Sequence, residues 1–119
     1  MLFNNFRIKN TQCTYTVFFA YHFLHRARGL LFRKKLAEKE CLLISPCTSI
    51  HTIGMHYPLD IVFLDACGIV LEVHENISPF QFISCRHKAA RTTVEFVGGS
   101  LKSIGLQQND HLFEKINES

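Results

Sequence analysis

Residues able to do chemistry crowd into one stretch. Cys47, His51, Met55 and His56 follow one another closely, and Asp60 comes next inside the apolar run Leu59-Asp-Ile-Val-Phe-Leu64. A thiol, two imidazoles and a thioether are soft donors that suit Cu(I) or Zn(II). In an extended chain, however, residues four apart are separated by about 13 Å, whereas metal–ligand bonds measure ~2.0–2.3 Å. Shared coordination would need the segment to turn at Gly54. The expectation is therefore no metal and no cofactor, with imidazoles bonded to backbone and the thiol packed as a small apolar group. The same residues also compose a thiol nucleophile (Cys47), a base (His51) and an orienting carboxylate (Asp60). Nothing in the sequence supplies an oxyanion hole for that trio, and no catalytic residue is assigned.

Asp60 is the most informative of them. Strand alternation places it on the same face as Val62 and Leu64. A buried carboxylate without partners is very costly. It should then be fastened by backbone N–H groups, be paired with Arg26 or Arg28, or face a ligand at the mouth of a barrel. Asp60, His51, Cys47 and Arg26 are the candidate ligand-contacting residues.

Composition limits what surrounds this stretch. A chain of 119 residues, 47% hydrophobic and 19% charged, is expected to form a single globular domain over 1–119. Eleven Phe and no Trp make ring burial the main contribution to the core. A formal charge of +3 is too small to argue for nucleic acid. The basic group Arg26, Arg28, Arg33, Lys34 and Lys35 lacks the interleaved aromatics of nucleic-acid binders. Five Cys is an odd number at irregular spacings, which argues for reduced thiols. The apolar stretch from Tyr15 to Leu24 is shorter than the about 20 residues that span a bilayer. His25-Arg-Ala-Arg28 after it makes a poor cleavage site. A cytoplasmic protein with no membrane span is expected.

The positioning elements follow from periodicity. Leu2 to Ala20 reads as an opening hairpin, Phe23–Arg28 as a short helix stopped by Gly29, and 33–40 as a solvated turn or short helix. Cys41–Ile44 is a strand ended by Ser45-Pro46. Leu59–Leu64, apolar on both sides of its alternation save Asp60, is a strand covered on both faces. Asp65-Ala-Cys-Gly68 turns it into the partner strand Ile69–Glu75. Phe80–Ile83 is an edge strand and Thr92–Val97 another strand. Ser100 caps a short helix over Leu101–Ile104, and His111–Ile116 is a last strand. The expected class is α+β, mainly β: a compact antiparallel sheet rolled into a barrel-like shape with one or two short helices.

Several of these segments recur together in one known family. Arg26-Ala-Arg28-Gly29-Leu30-Leu31, the stretch from Cys47 to Asp65 with Gly68, Glu95 ahead of Gly98-Gly99, and Gly105-Leu106 with Asp110 resemble the small bacterial domain of unknown function family 192. The likeness covers roughly residues 13–113 and is greatest for a branch with Pro-Cys-x-Ser-Ile-His-Thr-x-Gly-Met. Asn109 stands where that family has Gly, and Gln81 where it often has Arg. The resemblance implies a β-rich fold with a short helix near the N-terminus and no established activity. The resulting expectation is a non-enzymatic accessory module that binds a small ligand or a protein segment. The alternative is a metal- or thiol-dependent enzyme centred on Cys47, His51 and Asp60.

Overall fold

The computed structural model describes residues 2–8, 11, 13–20, 36–52 and 55–114. Along them run nine strands: β1 (Leu2–Ile8), β2 (Thr14–Ala20), β3 (Glu40–Ile44), β4 (Ser49–His51), β5 (Leu59–Leu64), β6 (Val70–Ile77), β7 (Phe82–Ser84), β8 (Thr92–Val97) and β9 (Phe113–Glu114). Seven form one sheet in the order β6-β5-β8-β3-β2-β1-β9, and β4 pairs with β7 in a separate two-stranded layer. Aromatic and β-branched residues dominate β2, which pairs with β1 as a hairpin with Phe6 opposite Tyr15. Between β5 and β6, Asp65 Oδ1 accepts the N–H groups of Cys67 (2.8 Å) and Ile69 (3.0 Å). Gly68 closes that turn at φ +82°, a conformation that favours glycine.

The sheet curls toward a half-barrel. One edge of β6 is taken up at its start by the chain ahead of β9. There Val70 N–H donates to Asp110 O (2.7 Å), Asn109 N–H to Val70 O (2.8 Å) and Leu112 N–H to Gly68 O (3.2 Å). The same segment then joins β1 through β9. Residues 109–114 thus bridge two distant edges of one sheet.

Each face carries its own core. Val17, Cys41, Val62, Leu64, Val94 and Phe96 lie on one side with Leu101 and Leu112. Leu42, Ile44, Ile61 and Phe63 lie on the other with Ile50 and Met55. β5 is buried at all six positions because both faces are covered.

Two expectations are corrected. Among the described residues the fold is all-β, not α+β. Leu101–Ile104 forms successive turns, with Ile104 N–H bonded to Leu101 O (3.1 Å). A helix there would need Ser100 to cap forward, but its hydroxyl donates back to Val97 O. The Leu101 N–H is claimed by Asp60. Residues 36–39 end in a turn with Lys39 at φ 63°. The expected helix over Phe23–Arg28 lies outside the described residues. The sheet is also not purely antiparallel, because β2 and β3 pair in parallel, Val17 opposite Cys41. A parallel neighbour needs a crossover of a dozen or more residues, which the long stretch between Ala20 and Glu40 supplies.

Candidate functional site

Asp60 is fully buried within β5. Its Oδ1 accepts the N–H groups of Asn76 (2.7 Å) and Gly99 (3.0 Å), and its Oδ2 accepts that of Leu101 (2.8 Å). A carboxylate with three backbone donors is satisfied without a counter-ion. The register explains the reach: Leu59 opposes Ile77 and Ile61 opposes His74, so a bulge turns the Asn76 N–H toward Asp60. Gly98 fits beside it because a Cβ there would lie 3.0 Å from both Asn76 Oδ1 and Pro58 O.

These bonds tie β6 to the turn segment 98–105, and between the two lies a half-open cleft. Val73 and Glu75 of β6 line one side, and Leu101, Lys102, Gly105 and Leu106 the other, around about 200 Å³. Asp60 therefore joins both walls from beneath, a role invisible in its own strand. Beyond Val70, the outer edge of β6 has no strand partner among the described residues.

Cys47 and His51 sit elsewhere. Asp60 registers with Phe96 and, through it, with Cys41, on the face of the first core. Cys47 is half-buried against the second core, on the opposite face. Its thiol donates to Ser49 O (3.0 Å), and its carbonyl accepts the Thr93 hydroxyl (2.9 Å). His51 is exposed on β4 opposite Phe82. The sheet thus separates Asp60 from the thiol, and the three do not converge as a nucleophile, base and orienting acid must. Arg26 lies outside the described residues. Among the described residues no group of three or more His, Cys, Asp and Glu is arranged to hold a metal ion.

Two groups escaped the sequence reading. The first links Cys85, Glu72 and His74. Glu72 Oε2 accepts the Arg86 N–H (2.8 Å) and the Cys85 thiol (3.3 Å), and its Oε1 meets His74 Nε2 at 2.9 Å. Burial pushes the Glu72 carboxyl up, but the Arg86 N–H, the His74 ring and the Cys85 thiol outweigh it and hold the group below its usual range. Burial, together with the adjacent carboxylate, raises the Cys85 thiol. A thiol kept protonated in this way is a poor nucleophile. The trio instead fastens the chain after β7 to β6. Only alternation along Glu72-Val-His74 hinted at it.

The second is Glu95, central in β8 and 7% exposed. It stands between Leu42 and Ile61 on the second core's face. No hydrogen bond or ion pair reaches its carboxylate from the described residues. Burial raises its pKa to about 7. Alternation in Thr92-Thr-Val-Glu-Phe-Val97 signalled the strand but not that both its faces are covered.

No described helix is long and apolar enough to cross a membrane. In fold the chain is similar to a protein of unknown function from Novosphingobium aromaticivorans, at 20% sequence identity and a TM-score of 0.77, covering 92% of this chain and 83% of that one. It is likewise similar to a suggested transcription regulator from Sinorhizobium meliloti, at 23% identity and a TM-score of 0.76, covering 91% and 88%. At such identities the likeness establishes the fold alone. No curated protein matches the chain. The model of domain of unknown function family 192, described as "Uncharacterized ACR", matches residues 6–113, and the chain belongs to that uncharacterised family.

Proposed function

We propose that this chain is a single-domain, non-enzymatic binding module that takes an extended protein segment along the outer edge of β6. The observation that carries this reading is the cleft between β6 and residues 101–106. Its volume of about 200 Å³ is below the ~300–1,000 Å³ of ordinary small-molecule pockets and suits one apolar side chain. A strand added to β6 would bond through its main chain and place alternate side chains into the cleft. Glu75 and Lys102 at the rim set a charge preference for the flanking positions. Of the residues singled out in the sequence, Asp60 serves this reading, as the tie between the walls. The five free thiols fit a reducing, cytoplasmic setting.

Selection of random peptides displayed on phage against the full chain tests the proposal. The expected result is enrichment of peptides with alternating apolar residues. Their addition should shift amide resonances at Val73, Glu75 and 101–106, and Lys102→Glu should alter the charge preferred beside the apolar position. Absence of enrichment over an unrelated protein, or resonance shifts confined to β4 and β7, would reject the cleft as the binding site.

A further inference from the structure

The two-stranded layer carries the most exposed aromatics among the described residues. Phe80 and Phe82 are 71% and 70% exposed, although Phe is ordinarily among the residues most often buried. Phe80 holds φ at 65°, a costly conformation for a bulky side chain. The tip is pinned there by Thr52, which is fully buried. The Thr52 hydroxyl donates to Ser78 O (2.9 Å) and accepts the Gln81 N–H (2.7 Å). Its main chain exchanges bonds with Gln81 O (2.8 Å) and the Phe80 N–H (3.1 Å). Two apolar rings are therefore held out into solvent by a rigid base.

The charge on this layer's own segments is one-sided, the acid fastened to it being Glu72 of β6, which accepts the Arg86 N–H. Segments 45–58 and 78–91, which build this layer, contain no Asp or Glu. Arg86, Lys88 and Arg91 are exposed on it and form no ion pair with the described residues. We propose that this face docks the chain peripherally on an anionic lipid surface, with Phe80 and Phe82 entering the interface and the three cations meeting headgroups. Apolar rings and unpaired cations together fit a surface that is both greasy and negative. A second copy fits poorly, because it would oppose like charges. Single-stranded nucleic acid fits poorly as well: the rings lie at 80 and 82 and the cations at 86–91, without the interleaving that stacks bases between phosphate contacts. The surface lies apart from the cleft beside β6, and neither reading depends on the other.

Co-sedimentation of the full chain with lipid vesicles decides the matter. The chain should bind vesicles of phosphatidylcholine mixed with phosphatidylglycerol at least about tenfold more tightly than pure phosphatidylcholine. Phe80→Ser combined with Phe82→Ser, and separately Arg86→Glu combined with Lys88→Glu, should each weaken binding by at least about tenfold at an unchanged thermal midpoint. The chain has no Trp, so Phe82→Trp places a lone reporter at the tip, whose emission should shift to the blue on adding the mixed vesicles. No sedimentation, equal affinity for both vesicles, or an unshifted Trp emission would overturn the proposal. So would an oligodeoxythymidylate that binds more tightly than the vesicles do.

Discussion

Replacing Glu95 by Gln should remove a pH-dependent loss of stability. The carboxylate lies between Leu42 and Ile61 in an apolar face, and burial moves its pKa from 4.5 to about 7. Between those two values the folded chain retains a proton that the unfolded chain has released. Stability therefore falls as pH rises through this window, and the loss is complete above the folded pKa. At about 1.4 kcal/mol per pH unit the gap amounts to about 3 kcal/mol, most of which falls between pH 5 and pH 8. Gln has nearly the same shape and does not titrate. Whatever fixed cost its amide carries, the pH-dependent part of the difference belongs to Glu95. Urea denaturation of both proteins at pH 5, 6, 7 and 8 measures it. The wild-type midpoint should fall relative to Glu95→Gln by ~1–2 M across that range. A difference that stays constant with pH would refute the reasoning. A wild type that gains on the variant with rising pH would show instead that a cation pairs with the ionised group.

Asp60→Ala leaves the N–H groups of Asn76, Gly99 and Leu101 without their acceptor and should cost about 3 kcal/mol in urea unfolding. An unchanged midpoint would remove the tie from the account of the cleft. Gly98→Ala sets a methyl group 3.0 Å from the Pro58 carbonyl, which is backbone and already accepts the Gly98 N–H, so a loss of ~1–3 kcal/mol should appear as a lower thermal midpoint. Phe80→Gly should move stability the other way, gaining about 1 kcal/mol in the same melt as the left-handed backbone is relieved. A destabilised Phe80→Gly would mean that the ring is anchored by packing its exposure does not reveal.

Much of the strand content was legible because it rests on local rules. The apolar run 59–64, the turn residues Asp65 and Gly68, and the alternation that follows them needed no distant contact to be read. Ser100 misled because its hydroxyl donates back to the Val97 carbonyl instead of accepting an N–H from the turn ahead of it. The opening hairpin and Cys41–Ile44 were readable as strands, whereas their parallel pairing depends on the path of the chain between them. Cys47, His51 and Asp60 looked like a cluster because sequence distance is short. The layer built by β4 and β7 lies with Cys47 on one face of the main sheet, and alternation along β5 sends Asp60 to the other.

The sequence alone determined a β-rich chain, the family to which it belongs and the burial of one acid in β5, because periodicity, turn chemistry and motif are carried by adjacent residues. Tertiary structure decided which backbone groups satisfy Asp60, that Glu95 has both faces of its strand covered, and that Phe80 and Phe82 are left outside. Each of these depends on segments tens of residues apart meeting across the sheet, and no local pattern encodes that meeting.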